Sequence, residues 1–259
     1  EENLFRVLLK RKGELALDRT WSIAPAQDVP WEGRSREDLS GFSLPAWTLI
    51  QHDDTVVIAT ESLRATVHQP LWLEWHYRNN EGEWLPLVND RPTSAYLLNA
   101  HGDGVAHYQS RRKDERFYGL GDKAGDLQRN GKRYEMRNLD AMGYNAVSTD
   151  PLYKHIPFTI TRRDDISFGL FYDNLSSCWL DLGNEIDNYH TAYRRWQAEA
   201  GDIDYYLFTG ERVLDITKAF VRLTGKTLFG PKWSLGYSGS TMHYTDAPDA
   251  QNQLMNFIR

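Results

Sequence analysis

A charged, glycine-rich stretch from Glu115 to Arg137 holds the residues best suited by type and spacing to bind a ligand. Glycine permits positive φ and close approach of the backbone to a ligand, and such a loop among strands is a common place for binding residues. The alternative is a tight hairpin, which the residues alone favour because Asn130-Gly131 is a strong type I′ turn sequence. The four glycines of the stretch are Gly119, Gly121, Gly125 and Gly131.

Cofactor, thiol and metal chemistry have little support in the sequence. Residues 119–121 (GLG) are not a dinucleotide fingerprint, because the third glycine and the strand-to-helix context are absent. Cys178 lies in an apolar run, which favours a buried, inert thiol over a nucleophile. The histidines show no HxxxH or HxH spacing, so we expect neither a metal nor a cofactor. They are His52, His68, His76, His101, His107, His155, His190 and His243.

The composition of the 259 residues, with 41% hydrophobic and 25% charged side chains, indicates one large or two small globular domains. A net charge of −6 argues against nucleic acid or an anionic membrane as a partner. No apolar run reaches the roughly 18 residues that a membrane span needs. The single cysteine excludes an internal disulfide and is typical of a reducing compartment, so we expect a cytoplasmic protein.

Alternating apolar and polar residues predict at least ten short strands, as at 63–68, where Leu63, Ala65 and Val67 share one face. Turn sequences at intervals of about 8–12 residues then favour an antiparallel β-sandwich. Residues 15–45 and 138–151 are interpreted as long connections. The predicted strands cover residues 4–10, 55–59, 63–68, 71–77, 84–88, 96–100, 105–110, 156–161, 166–172, 178–182, 191–196 and 203–208.

The pattern changes after Gly210, where apolar residues at helical spacing predict a helix that stops at Gly225. Residues 231–237 then read as a strand, and a second helix is predicted from Asp246 onwards. One βα unit cannot bury its own apolar faces, so we expect the start of an α/β domain of a larger protein. Alone, the unit would promote association through exposed side chains, namely those of Trp233, Leu235, Leu254 and Phe257.

Five stretches occur in a telling order: 115–122 (ERFYGLGD), 150–158 (DPLYKHIPF), 169–174 (GLFYDN), 223–225 (LTG) and 231–237 (PKWSLGY). Together they resemble family 31 of the glycoside hydrolases, the α-glucosidase and α-xylosidase family. The resemblance covers residues 50–259 and extends more weakly to the first fifty.

The resemblance implies a mainly β fold. Residues 1–228 would form an antiparallel, galactose-mutarotase-like β-sandwich, and residues 229–259 the first β/α unit of a catalytic (β/α)8 barrel, whose remainder would be a partner of this segment. It also implies retaining hydrolysis of an α-linked oligosaccharide or glycoside by two carboxyl groups about 5–5.5 Å apart. The sequence leaves the oligomeric state and the preferred glycoside open.

Three substrate-binding residues follow from the same resemblance. Asp140 matches an aspartate in a loop that reaches over the barrel and hydrogen-bonds sugar hydroxyls, and the alternative is a loop aspartate that caps a turn. Tyr244 matches an aromatic position that lines the sugar site, with a rim aromatic packed on the sandwich as the alternative. His243 lies beside it in the first barrel loop, at the end where such barrels form their active sites.

No catalytic carboxylate is expected within this chain, which should be inactive alone. Residues 179–185 (WLDLGNE) echo the family's nucleophile signature, but Gly183 inserts an extra residue and the stretch precedes the barrel. We therefore interpret Asp181 as an outward-facing strand residue. Two other functions stay open: a stand-alone carbohydrate-binding module with exposed tryptophans, and a mutarotase-like enzyme that uses His68 and His76 for acid–base catalysis. No glutamate lies at a spacing from these histidines that would indicate an acid–base pair.

Overall fold

The computed structural model of the chain describes residues 1–26, 28–98, 102–184 and 187–236. The chain forms two compact units, residues 1–225 and 226–259. In the described ranges the first unit has fifteen strands and one α-helix, and the second has a short 3-10 helix at Lys232–Leu235. The strands are β1 (Leu4–Leu9), β2 (Thr48–Gln51), β3 (Thr55–Ala59), β4 (Leu63–His68), β5 (Trp72–Arg78), β6 (Trp84–Asn89), β7 (Tyr96–Leu98), β8 (Val105–Ser110), β9 (Arg116–Gly121), β10 (Arg133–Met136), β11 (His155–Arg162), β12 (Ser167–Tyr172), β13 (Cys178–Asp181), β14 (Tyr193–Ala198) and β15 (Ile203–Gly210), and the helix is α1 (Val213–Thr224).

The strands form three five-stranded sheets in which neighbouring strands run antiparallel. Sheet I has the order β1-β15-β12-β11-β9, sheet II the order β10-β13-β14-β8-β7, and sheet III the order β2-β3-β4-β5-β6. An isolated bridge between Asp90 and Gln109 joins the chain just after β6 to β8, and so links sheet III to sheet II. The predicted antiparallel β-sandwich is therefore confirmed.

One hydrophobic core collects residues from all three sheets. In sheet III, the alternation visible in the sequence buries Leu63 of β4 and Trp75 of β5 completely, while Arg64 of β4 lies on the opposite face. Sheet I contributes Phe168 and sheet II contributes Trp196, both at most 1% exposed. Removal of this apolar surface from water is the main force that holds the sheets together.

Helix α1 covers the other face of sheet I through a second, smaller cluster of buried side chains. The ring of Phe220 in α1 stacks on that of Phe158 in β11, with centroids 4.1 Å apart, and Phe208 of β15 lies in the same cluster. The predicted helix and its glycine stop are confirmed, since Gly225 follows α1 with φ of 85°. The buried helix residues are Ile216, Ala219 and Leu223.

A buried ion cluster fixes the irregular segment 10–47 to sheet I. Arg36 donates from Nη1 to Asp173 Oδ2 at 2.8 Å and to Asp204 Oδ2 at 2.7 Å. Arg6 of β1 donates to both carboxylate oxygens of Asp204, at 2.8 and 2.6 Å. Burial raises the pKa of Asp173, while the charge of Arg36 opposes that rise. The cluster therefore compensates charges that would otherwise be costly inside the protein.

Two of the interpretations made from the sequence are wrong. The hairpin at Asn130-Gly131 does not exist, because β9 belongs to sheet I and β10 to sheet II, so residues 122–132 cross between sheets. Residues 232–235 form a 3-10 helix instead of a strand, since Pro231 O accepts both the backbone N–H and the Oγ–H of Ser234, at 3.0 and 2.7 Å. The helix predicted from Asp246 lies outside the described residues, as does Tyr237, and the barrel assignment stays a prediction.

Candidate functional site

The glycine-rich stretch opens with three consecutive residues of left-handed backbone at the end of β9. Gly119 has φ of 104°, and Leu120 and Gly121 each have φ of 78°. Opposite them, the register of β11 shifts between His155 and Thr159, as in a β-bulge. A leucine in this conformation is strained by about 1–3 kcal/mol, and full burial of its side chain in the core, where it is 1% exposed, offsets a similar amount.

Both glycines of this turn are required for space as well as for φ. A Cβ atom on Gly119 would lie 2.5 Å from Phe158 O, and one on Gly121 would lie 2.8 Å from Lys154 O. Real Cβ atoms essentially never approach backbone oxygen so closely. The two glycines therefore let β9 lie directly against the bulged start of β11, which is also where the following long loop rejoins the sheet.

The segment 122–132 is shaped by its own charged residues. The buried guanidinium of Arg129 donates to three backbone carbonyl groups, those of Lys123 at 3.4 Å, Ala124 at 3.1 Å and Asp126 at 2.6 Å. Asn130 Oδ1 accepts the backbone N–H of Phe117 in β9, and Asn130 Nδ2 donates to the backbone oxygen of Glu115, which precedes β9. The side chains of Arg129 and Asn130 thus order the backbone of this segment. The main chain of Lys123 is held in place by its hydrogen bond from Arg129.

Residues 137–154, here called the Asp140 loop, form an ordered connection between β10 and β11. At its base, His155 N donates to Asn138 Oδ1 at 3.1 Å, and Leu139 N donates to Leu152 O at 3.2 Å. Further out, Asn145 Oδ1 accepts the backbone N–H groups of Val147 and Ser148, at 2.8 and 3.2 Å. These internal hydrogen bonds give the loop a defined conformation.

Two contacts join the Asp140 loop to the segment 122–132 and to β10. Gly125 N donates to Ala146 O at 2.8 Å. Lys123 Nζ lies 2.7 Å from Asp150 Oδ1 and also donates to Glu135 O, while Asp150 Oδ2 accepts from Glu135 N at 2.6 Å. The lysine and the aspartate therefore connect three chain segments at one point.

Asp140, near the start of its loop, is exposed. Within the described ranges, its carboxylate has no hydrogen-bond or ion-pair partner, and Met142 N donates instead to the backbone oxygen of Asp140 at 3.0 Å. A turn-capping role for the carboxylate thus has no support there. Met142, Tyr144 and Tyr153 nearby are 66%, 52% and 43% exposed. A free carboxylate beside exposed apolar and aromatic surface suits a sugar, which has hydroxyl donors and apolar C–H faces.

The other two predicted substrate-binding residues, His243 and Tyr244, lie outside the described residues. Their roles, and that of Asp140, stay predictions. In the described part of the chain, no group of three or more His, Cys, Asp or Glu side chains is arranged to hold a metal ion. There, too, no helix combines the length and the apolar character needed to cross a bilayer.

Asp181 is a turn-capping residue, and its geometry does not suit a nucleophile. Its Oδ1 accepts the backbone N–H groups of Gly183 at 3.2 Å and Asn184 at 2.8 Å, and the side chain is almost fully buried. Gly183, the residue that departs from the family signature, has φ of 108° and so closes this turn. The expectation of an outward-facing side chain is wrong, because the turn that Asp181 caps covers it.

The structure pairs His68 with a glutamate that the sequence analysis missed. Glu74 Oε2 lies 3.3 Å from His68 Nε2 across the β4–β5 hairpin, and His76 lies two residues further along β5, on the same face as Glu74. Burial, together with the charge of Arg64, lowers the pKa of His76. The His68 ring also stacks on Trp72 at 3.9 Å. Glu74 and Trp72 thus hold the His68 ring in place on the β4–β5 hairpin.

A second histidine–carboxylate pair is locked in the core. His107 Nε2 bonds Asp90 Oδ1, and His107 Nδ1 bonds the hydroxyl of Tyr172, both at 2.8 Å. His107 and Asp90 have no exposed surface, and burial raises the pKa of Tyr172 far above its ordinary value. Groups so fully removed from solvent have no access to a substrate, so this network specifies the packing of sheets I and II.

Comparisons with known proteins agree with this architecture. A family model, the glycosyl hydrolase 31 N-terminal galactose mutarotase-like domain, matches residues 1–181. The chain is 34% identical over 241 residues to alpha-glucosidase 2 of Bacillus thermoamyloliquefaciens, a match that covers 86% of this chain and 30% of that protein. It is 33% identical over 143 residues to an alpha-glucosidase of Saccharolobus solfataricus, with 55% and 20% covered.

Solved structures give the same picture. A family 31 dextranase of Flavobacterium johnsoniae, complexed with isomaltotriose, superposes with a TM-score of 0.73 and 27% identity, over 92% of this chain and 26% of that one. An alpha-xylosidase from a soil metagenome, complexed with xylose, shares the fold with a TM-score of 0.60 and 17% identity, over 86% and 31%. The chain therefore spans less than a third of the length of these relatives.

Proposed function

Because this chain belongs to glycoside hydrolase family 31 and carries that family's N-terminal galactose mutarotase-like domain, we propose that it helps an α-glucosidase-type enzyme to hold its substrate. The reaction would be retaining hydrolysis of an α-linked oligosaccharide, with two carboxyl groups about 5–5.5 Å apart. We place those carboxyl groups in another part of the polypeptide. The domain would contribute a binding loop and no catalytic residue.

The observation that carries this proposal is the free, exposed carboxylate of Asp140 on an otherwise internally bonded loop. An ionised carboxylate that accepts hydrogen bonds from two neighbouring sugar hydroxyls forms charge-assisted bonds, which are stronger than neutral ones. The loop's own hydrogen bonds fix its shape before substrate arrives, which lowers the entropy cost of binding. Tyr244 and His243 are proposed as further sugar-binding residues from the family resemblance alone.

The substrate class rests on the relatives. Alpha-glucosidases are among the most similar curated proteins, and the dextranase structure contains isomaltotriose. We therefore propose an α-linked glucoside as the substrate, and we place the protein in the cytoplasm because its single cysteine is free and buried. Residues 229–259 would begin the (β/α)8 barrel that carries the catalytic residues.

Hydrolysis of nitrophenyl α-glucoside and α-xyloside tests the proposal, with the intact polypeptide that contains this chain and with residues 1–259 alone. We expect activity only from the intact polypeptide, with the glucoside preferred. Asp140→Asn should lower kcat/KM by about tenfold to a hundredfold, since one or two charge-assisted hydrogen bonds are worth about 1.5–3 kcal/mol. Asp164→Asn is the matched control, because the Asp164 side chain is 95% exposed and its Oδ1 lies 3.9 Å from Arg116 Nη1.

Two results would contradict this assignment. Turnover by residues 1–259 alone would mean that the acid pair lies within them. Equal kinetics of the Asp140→Asn and Asp164→Asn variants would mean that the Asp140 carboxylate does not touch the substrate.

A further inference from the structure

We infer that Lys123 is a positioning residue for Asp140: it clamps the Asp140 loop to β10 through Asp150, and so sets where the Asp140 carboxylate meets the sugar. The inference rests on the proposed role of Asp140. Lys123 itself would touch no substrate, and its effect would pass entirely through the conformation of the loop.

The burial of the Lys123 side chain sets this ion pair apart from ordinary surface ion pairs. The side chain of Lys123 is 1% exposed and that of Asp150 is 24% exposed, with Nζ and Oδ1 2.7 Å apart. For comparison, Lys154 at the end of the same loop is 78% exposed, and its Nζ lies 3.9 Å from Asp122. Exposed pairs of the second kind contribute little, whereas the ammonium group of Lys123 is removed from solvent and depends on its ion-pair partner Asp150.

Each partner of the pair makes further contacts besides the ion pair. On the lysine side, Arg129 donates to the carbonyl oxygen of Lys123 and to two carbonyl groups just after it. On the aspartate side, Asp150 Oδ2 accepts the backbone N–H of Glu135 in β10. Lys123 Nζ also donates to Glu135 O. The ammonium group thus lies between a rigid turn, a sheet strand and the loop.

The clamp holds the part of the loop that its base does not control. The hydrogen bonds at Asn138 and Leu139 fix the ends of the loop, and one bond from Gly125 reaches Ala146. Asp150 is the point where a side chain ties the returning half of the loop to β10. The hydroxyl of Tyr153 in this returning half donates to Ala141 O at 3.2 Å, beside Asp140, so a shift of the returning half would move Asp140 as well.

The test is Lys123→Met in the intact polypeptide, a change that keeps the length of the side chain and removes its charge. We expect kcat/KM for nitrophenyl α-glucoside to fall about tenfold, since a misplacement of about 1 Å can cost up to 10²-fold. Lys154→Met, the matched control from the same loop, should behave like wild type. In the Asp140→Asn background, Lys123→Met should cause little further loss, because its effect passes through Asp140.

Hydrogen exchange provides a readout that needs no activity. In Lys123→Met, amides of residues 139–149 should exchange faster than in wild type and in Lys154→Met, while amides of β11 and β12 stay protected. If Lys123→Met does not fold, the double variant Lys123→Met/Asp150→Asn removes both charges together and takes its place.

The outcomes separate this inference from the proposed function. If Asp140→Asn loses activity but Lys123→Met does not, the clamp plays no part in positioning and the inference is overturned. An undiminished effect of Lys123→Met in the Asp140→Asn background would overturn it as well. If the intact polypeptide does not cleave the glucoside, or Asp140→Asn changes nothing, the proposed function fails, and the exchange data alone decide whether Lys123 holds the loop.

Discussion

Replacement of Arg36 by methionine should lower the free energy of unfolding by about 3–5 kcal/mol, the usual cost of removing one partner from a buried ion pair. The Nη1 atom of Arg36 lies 2.8 Å from Asp173 Oδ2, and both side chains are at most 3% exposed. Asp204 would keep Arg6, so the main loss comes from an uncompensated charge on Asp173.

Urea unfolding of the chain measures this loss, and thermal unfolding should show a midpoint lower by about 6–20 °C. Arg19→Met is the matched control, because Arg19 pairs with Asp18 at 3.5 Å with both side chains nearly half exposed, and such pairs are worth at most about 1 kcal/mol. Adding Asp173→Asn to Arg36→Met should recover part of the stability. Equal losses in Arg36→Met and Arg19→Met would contradict the assignment.

The pH dependence gives a second check with a definite sign. Burial raises the pKa of Asp173, and Arg36 opposes that rise, so removal of Arg36 raises the pKa further. A carboxyl group whose pKa is higher in the folded than in the unfolded state binds more protons when folded, so its contribution to stability increases as the pH falls. The deficit of Arg36→Met should therefore shrink between pH 7.5 and pH 5.

The ion cluster around Arg36 is a part of the fold that the sequence could not predict. Strands with one buried face, such as β4 and β5, alternate clearly and were predicted closely. Strand β2 was missed, because all four of its residues are exposed and leave no alternation. The pairing of Arg36 with Asp173 and Asp204 joins residues 137 and 168 positions apart, and no local pattern encodes such a contact.

The candidate site, too, was predicted only in part from the sequence. The resemblance pointed to Asp140, and glycine content pointed to residues 119–131 as unusual, but neither indicated that Lys123 meets Asp150, which is 27 positions away. The contact of His68 with Glu74 could have been found. The chain turns between β4 and β5 just after His68, so a hairpin register would have placed the two residues on one face.

The strand β9 was missed because its glycines, Gly119 and Gly121, indicated a loop. The same glycines lead to the second large prediction. Gly119→Ala should destabilise the chain by about 2–6 kcal/mol, the sum of backbone strain of about 1–3 kcal/mol and overpacking of about 1–3 kcal/mol. Its φ of 104° is unfavourable for alanine, and the new Cβ would lie 2.5 Å from Phe158 O. Phe158 lies in β11 and pairs with Phe171 of β12, so its oxygen is held by sheet I.

Gly131→Ala is the matched control, since Gly131 also has positive φ, 75°, but a Cβ there would meet nothing within 4 Å. It should lose only about 1–2 kcal/mol, the cost of the left-handed conformation. Urea unfolding of both variants therefore separates the space requirement from the conformational one. Equal losses would mean that β11 yields at Phe158. A larger loss for Gly119→Ala would mean that close contact between β9 and β11 is a fixed feature, on which the base of the Asp140 loop depends.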